Sequence, residues 1–412
     1  MLTLFAILIC LSFLYYLVKA TRLPGETIYS AFFIRTVFAS LAYFSFIELP
    51  GVDSGAFLRR AAEFSHYNWQ QLLNLLSRPG GSPVFPALGA LVYKTSGIED
   101  PLAATILLSV FPGTLVVIFT YFLSKVLFGK QRAKQVAWIA ALFPPVVLNA
   151  SIFNREALAA APFTLGLYYV ARWHQPTGKL SDVLGAVICL TLATWVHGGF
   201  AFAFIGLIVL ALWGIVRIIL DPAKKLKKKR IFVALAGFSL LSLLTISLLA
   251  SQVTLGKIGD IGEAISSADE VVDAQLAREV RGGSGYPPFA QNILPIRIIY
   301  FLFSPFPWDI RSARMLQGFI ATAVFIYLAV SIFKSIKNGH FRGRSDVVAV
   351  SIVLAISIFV FAVGTSNIGT SIRHRSKFLY GLLGLSAATV FKSADPSRRK
   401  SYITTINHPH NV

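Results

Sequence analysis

The stretch "PLAATILLSVFPGTLVVIFTYFLSKVLFG", Pro101 to Gly129, is apolar over almost its whole length. An apolar run of about 18 or more residues predicts a helix that crosses a membrane. Similar runs recur along the chain, so the sequence predicts an all-α polytopic membrane protein with about 11 transmembrane helices. We place these spans near residues 2–20, 30–50, 101–124, 134–153, 156–172, 181–196, 199–220, 231–252, 314–334, 346–363 and 374–391.

The composition agrees with a membrane protein. The chain has 412 residues, of which 55% are hydrophobic and 14% are charged, whereas soluble domains carry roughly 25% charged residues. Both cysteines, Cys10 and Cys189, lie in apolar runs, which excludes a disulfide framework and indicates buried thiols. The net charge of +20 would suggest nucleic acid as a partner in a soluble protein. Here the positive charges lie in connectors between spans, so we expect no nucleic-acid partner.

The basic connectors predict the topology. The segments "KVLFGKQRAK", "DPAKKLKKKR", "KSIKNGHFRGR" and "KSADPSRRK" all face the cytoplasm if basic loops stay inside. That assignment places the N-terminus outside and the C-terminus inside. Residues 1–412 then form a single membrane domain, with outer loops at 51–100 and 253–312 and a cytoplasmic tail at 392–412. Arg35 is the clearest charge within a span, and we expect it to snorkel to the inner side.

Each outer loop contains an apolar piece too short to cross, "VFPALGALVY" in the first and "ILPIRIIYFLF" in the second. Such pieces predict interfacial or re-entrant helices. The first loop also contains an amphipathic segment that begins after Ser54, typical of a helix lying in the interface. The second contains an acidic segment with a helical pattern, followed by "GGSG", which suggests a mobile helix and lid.

Unusual polar residues concentrate on the predicted outer face. Asp53 directly follows the second span, between Gly51 and Gly55, where it is either a functional carboxylate or a helix N-cap. Arg155 and Glu156 interrupt "SIFNREALAAAPF" at the outer end of a span. They either mark the interface or line a cavity that binds an anion.

Three further groups lie on the same face. His197 in "TWVHGGFAF" is either a satisfied interface residue or part of a site, and the two glycines after it allow a close backbone approach. Arg373, His374, Arg375 and Lys377 run against the positive-inside bias, so this cluster binds either lipid headgroups or an anionic ligand such as phosphate, which Arg373 and Arg375 would contact. Arg311 adds a cation in the second outer loop. No His/Asp spacing indicates a metal site.

This arrangement resembles the C-type glycosyltransferase superfamily, which uses polyprenyl-linked sugars on the outer side of the membrane. The resemblance covers about Tyr29 to Trp173 and rests on the order of short motifs: "GVDSGAF", "SPVFPALGALVYKTSG", the run from Pro101 to Gly129, and "AWIAALFPPVVLNASIFNREALA". The family more commonly has Asp where this chain has Glu156. "NIGTSIRHRSKFLYG" is similar to the Arg-x-Arg stretch of bacterial O-antigen and exopolysaccharide polymerases.

The resemblance implies an inverting transfer in the bacterial cytoplasmic membrane, with the active face outside. Asp53 would be the general base and Glu156 would orient the acceptor or assist a proton. The substrate- and phosphate-binding residues would be Arg155, His197, Arg311, Arg373, His374 and Arg375. The partners would be a polyprenyl-phosphate- or diphosphate-linked sugar, an acceptor glycan or lipid, and membrane lipids. No cofactor is required, although some family members use a divalent metal.

Two alternatives to single-sugar transfer stay open. A repeat-unit polymerase would need the same pocket and room for a second lipid. A transporter of lipid-linked substrates would carry charges at mid-span and show repeat symmetry. The sequence shows no visible repeat, and its charges crowd one face, so transport ranks below transfer.

Overall fold

The computed structural model describes residues 1–46, 52–78, 80–81, 83–220, 285–310 and 313–389. Within them the protein is all-helical, as predicted, with one isolated bridge between Gly285 and Asn367 and no strand. We number the α-helices in chain order as α1 Leu2–Thr21, α2 Gly25–Tyr43, α3 Val52–Ser65, α4 Trp69–Leu76, α5 Val84–Ser96, α6 Pro101–Thr105, α7 Phe111–Phe128, α8 Lys130–Leu142, α9 Pro144–Ala150, α10 Arg155–Trp173, α11 Leu180–Val196, α12 Ala203–Leu220, α13 Pro288–Asn292, α14 Leu294–Phe303, α15 Ala313–Lys337, α16 Ser345–Val363, α17 Ile368–Ser376 and α18 Leu379–Ser386. A π-helix, Ile106–Val110, joins α6 to α7, and 3-10 helices span Gly198–Phe202 and Pro307–Asp309.

Four helices in the described part are long and apolar enough to cross a membrane: Leu2–Thr21, Pro101–Phe128, Gly318–Lys337 and Ser345–Val363. These helices are compatible with a membrane-embedded protein. The predicted count of about 11 spans is not confirmed, and the predicted span at 231–252 lies outside the described residues. The segment predicted as a span at 374–391 is divided between α17 and α18.

The sequence "FPP", Phe143 to Pro145, separates α8 from α9, and Arg35 bonds to the carbonyl groups that this break leaves without partners. Prolines 144 and 145 have no N–H, so they cannot bond to the carbonyls of Ala140 and Ala141 at the end of α8. Arg35 donates to both carbonyls instead, at 3.0 Å each. Its side chain is fully buried, so the expectation that it snorkels is wrong. The partial negative charge at the C-terminus of α8 stabilises this cation inside the bundle.

The "FPG" sequence at Phe111 does not break its helix. The π-helix lies directly before Pro112 and supplies the wider turn that lets the chain continue from Pro101 to Phe128. In that π-helix the Ser109 hydroxyl donates to the carbonyl of Asn154 and accepts from its N–H, both at 3.1 Å. This pair of bonds fixes the residue that precedes Arg155.

The bundle has two large apolar cores. One is centred on α10, α11, α12 and α16, and the other on α1, α2, α7 and α8.

Polar contacts identify which helix ends lie together. Arg344 donates to the carbonyl of Leu127 at 2.5 Å, and Ser345 donates to that of His174 at 2.9 Å. Thr3 bonds to the Asp100 carboxylate at the opposite end of the helix pair α6 and α7, so the N-terminus lies at that other end.

The first predicted outer loop forms three helices, α3, α4 and α5, at the end that contains Asp100. Phe85 on α5 packs between Phe57 on α3 and Phe153, with ring centroids 5.6 and 4.6 Å apart. Gly80 donates to the carbonyl of Trp195 at 2.8 Å, which ties the loop to the end of α11. In the second predicted loop, residues 253–284 lie outside the described part, whereas "ILPIRIIYFLF" contains α14.

Candidate functional site

The structure brings together Asp53, Glu156 and Arg373 from three distant parts of the chain. Arg373 on α17 forms ion pairs with Asp53 on α3 through Nη1 and with Glu156 on α10 through Nε, the latter at 2.9 Å. Asp53 is the second residue of α3, so it lies inside the first turn rather than at the N-cap position. Its carboxylate is engaged by Arg373.

Lys377 completes the group, and we call these four residues the ion-pair cluster. Its Nζ lies 2.7 Å from Oε2 of Glu156, and its side chain is fully buried. The sequence analysis counted Lys377 in the outer basic cluster but gave it no role in the site, although a signal was present. It follows Arg373 by four residues, and side chains at that spacing share one face of a helix.

Exposure varies strongly across the ion-pair cluster. The Glu156 side chain is 3% exposed, Arg373 is 26% exposed and Asp53 is 44% exposed. The cluster therefore has a buried end, formed by Glu156 and Lys377, and a solvent-exposed end at Asp53. A substrate that approaches from solvent would meet Asp53 and Arg373 first. The buried position of Glu156 also argues against the reading in which it only marks the interface.

Two histidines lie beside the cluster. The rings of His197 and His374 are 5.3 Å apart, and Phe361 packs 5.2 Å from each. Burial, followed by the positive charges of Lys377 and Arg155, lowers the pKa of His197 well below its ordinary value. His197 is therefore neutral at pH 7, and it can offer a phosphate one N–H donor but no positive charge. Neither of its ring nitrogens has a hydrogen-bond partner among the described residues.

The glycines after His197 do allow close approach, but within the chain itself. A Cβ atom on Gly80 would lie 2.7 Å from Cα of Gly198, and one on Gly199 would lie 2.6 Å from the Phe361 ring. The turn that carries His197 is thus packed between the first outer loop and α16. This packing fixes the histidine relative to the ion-pair cluster.

Arg155 is a further cation of this region. It is half-buried and acts electrostatically on Lys377, His197 and His374. Within the described part of the chain it has neither an ion pair nor a side-chain hydrogen bond. An arginine in this state can bind an oxyanion through its planar set of N–H donors.

Arg375 does not join the cluster. It is 1% exposed and donates to the carbonyls of Leu302, Ser304 and Gly318 and to the hydroxyl of Thr322. Residues two apart on a helix point to nearly opposite sides, so Arg373 and Arg375 cannot both face one site. The Arg-His-Arg sequence is therefore not a continuous headgroup-binding patch. Arg311 lies outside the described residues.

A small cavity adjoins the buried end of the ion-pair cluster, formed by Glu156 and Lys377. Its volume is about 10 Å³, close to the smallest space that holds one water molecule. Besides Glu156 and Lys377, its polar lining comes from Asn149, Ser376 and Tyr380. Among the residues that the structure describes, no group of three or more His, Cys, Asp or Glu side chains could hold a metal ion.

The fold is thus an all-helical bundle with candidate membrane spans and a charged cluster at one end. No protein-family model matches the chain, and none of the curated proteins matches its sequence. The resemblance to C-type glycosyltransferases therefore rests on the sequence motifs and stays a prediction.

Proposed function

We propose that this protein is an inverting membrane glycosyltransferase that moves a sugar from a polyprenyl-phosphate-linked donor to an acceptor hydroxyl. The observation that carries the proposal is that Arg373 joins Asp53 to Glu156 at one end of the bundle, with Arg155 beside them and not paired with any residue that the structure describes. A carboxylate at a solvent-exposed end and cations behind it are the two elements that this reaction needs.

In the proposed reaction, Asp53 accepts the proton of the acceptor hydroxyl as the hydroxyl oxygen attacks the anomeric carbon. The bond from that carbon to the phosphate oxygen breaks, and the electron pair leaves with the polyprenyl phosphate. Arg373 and Arg155 stabilise the charge that develops on the leaving phosphate. A general base must reach the hydroxyl directly, and Asp53 is the more exposed of the two carboxylates.

The proposal includes the topology expected from the basic connectors. About 11 spans would place the ion-pair cluster on the outer side of a bacterial cytoplasmic membrane, with the N-terminus outside and the C-terminus inside. The helix ends that contact each other are consistent with this alternation, since Leu127, His174 and Arg344 meet away from the cluster. A repeat-unit polymerase would use the same residues. Transport is supported less, because Arg35 at mid-span serves as a helix cap.

The test is transfer by purified protein in lipid nanodiscs, with a panel of polyprenyl-phosphate sugars and mass spectrometry of the product. General-base catalysis contributes about 10²–10⁴-fold in rate, so Asp53→Asn should lower transfer by at least about 10²-fold. Glu63→Gln on the exposed side of the same helix is the matched control and should retain full rate. Full activity in Asp53→Asn would refute the proposed base, and absence of transfer from every donor would refute the donor class.

A further inference from the structure

Lys377 has no direct access to a substrate. Its side chain is fully buried, its Nζ contacts Oε2 of Glu156 at 2.7 Å, and it lies 5.3 Å from the centre of the Phe361 ring. A cation enclosed in this way requires its carboxylate partner, because an unpaired buried charge is strongly unfavourable. Any effect of Lys377 on an incoming ligand must therefore pass through Glu156.

Glu156 uses its two oxygens for two different cations. Oε2 contacts Lys377, and Oε1 contacts Nε of Arg373 at 2.9 Å. Because Glu156 contacts Nε, the Nη nitrogens of Arg373 face the side where Asp53 lies. The buried pair thus determines the orientation of the guanidinium, much as an outer-shell residue orients a ligating side chain.

The two ion pairs of Arg373 differ in how easily they separate. The pair with Asp53 is partly exposed, and exposed ion pairs contribute little free energy, whereas the pair with Glu156 is enclosed. An anionic ligand that reaches Arg373 will therefore replace Asp53 rather than Glu156. Arginine binds phosphate through two parallel N–H donors, so the Nη side is suited to that exchange.

We propose that Lys377 is a positioning residue that acts through Glu156 to hold Arg373, so that Arg373 exchanges Asp53 for the phosphate of the substrate. The exchange links donor binding to the chemical step, because a carboxylate that has lost its cationic partner is a better proton acceptor. This inference rests on the proposed function only for the identity of the anion.

The experiment measures binding without turnover, so its result is independent of whether sugar transfer is found. Farnesyl phosphate is titrated by calorimetry into the full-length protein in nanodiscs, with farnesol as the control that lacks phosphate. We compare the wild type with Lys377→Met, Glu156→Gln and the double variant. Lys377→Met should weaken farnesyl phosphate binding about tenfold in the wild type and by less than about twofold when Glu156→Gln is already present.

Two further variants sharpen the test. Lys377→Arg keeps the charge and should restore most of the affinity. Asp53→Asn removes the competing carboxylate, so it should bind farnesyl phosphate several-fold more tightly than the wild type, although it loses transfer. Farnesol binding should be the same in all variants. If Lys377→Met fails to fold, the double variant removes both buried charges, and it is compared with Glu156→Gln alone.

The inference is overturned if Lys377→Met weakens binding by the same factor in both backgrounds, since Lys377 would then act independently of Glu156. It is also overturned if the double variant binds much more weakly than Glu156→Gln. Equal affinity of Asp53→Asn and the wild type would show that phosphate does not displace Asp53 from Arg373.

Discussion

Replacing Arg35 by methionine tests the most specific structural prediction. Arg35 donates to the carbonyls of Ala31, Ala140 and Ala141. The Ala31 carbonyl keeps the backbone N–H of residue 35 inside α2, so it retains a partner. The carbonyls of Ala140 and Ala141 would lose theirs, because residues 144 and 145 are prolines. The methionine variant therefore buries two orphaned acceptors.

The expected loss of stability follows from these two groups. An unsatisfied buried acceptor costs about 1–3 kcal/mol, which gives about 2–6 kcal/mol for the pair. The variant also no longer buries a cation that lacks a carboxylate partner, and this offsets part of the cost. We therefore expect the free energy of unfolding to fall by about 2–4 kcal/mol.

The assay is an SDS titration in mixed micelles that yields the free energy of unfolding. Arg22→Met at the exposed end of α1 is the matched control, and it should change that free energy by less than about 0.5 kcal/mol. Replacing both prolines 144 and 145 by alanine restores the two N–H donors. In that background Arg35→Met should cost much less. An equal loss in both backgrounds would refute the assignment of Arg35 as a helix cap.

Two further predictions concern the surroundings of the ion-pair cluster. Gly80 has φ +76° and lies against the backbone of Gly198, so Gly80→Ala should displace the first outer loop from α11 and lower the thermal midpoint, as measured by differential scanning fluorimetry. The pKa of His197 is lowered well below 6.5, so the unfolded chain takes up a proton that the folded chain does not. The contribution of His197 to stability should therefore be present well above pH 6.5 and be lost progressively as the pH falls through 6.5, and His197→Gln should reduce that loss.

Each of these predictions has a contradicting result. Gly97 also has a positive φ, +68°, but a Cβ there meets no atom within 4 Å, so Gly97→Ala controls for backbone strain alone. An equal loss from Gly80→Ala and Gly97→Ala would remove the argument from close packing. Parallel pH profiles for His197→Gln and the wild type would show that His197 does not supply the pH dependence.

The sequence predicted the features that depend on composition and on position along the chain. It predicted an all-helical protein, an apolar helix near residues 156–172 that corresponds to α10, and the residues Asp53, Glu156 and Arg373 that the structure places in contact. Asp53 and Arg373 are 320 positions apart. Their meeting was expected because both were assigned to the same end of the bundle.

The remaining features depend on packing that periodicity does not encode. The sequence treated Arg373 and Arg375 as one basic patch, but the helical turn directs them to opposite sides. It treated Arg35 as a charge that must reach water, because the loss of two N–H donors at prolines 144 and 145 matters only when α8 ends beside α2. The polar surroundings of Lys377 likewise appear only once α10 and α17 are in contact.

The reciprocal bonds between Ser109 and Asn154 have a consequence for how the bundle can move. They couple two neighbouring helices at a common depth, immediately before the residue pair Arg155 and Glu156. We expect these bonds to act as a pivot at the start of α10, so that a tilt of this helix does not change the depth of Glu156 in the bundle. Under the proposed function, the glutamate that contacts Arg373 would therefore keep its position while a lipid-linked donor enters and leaves.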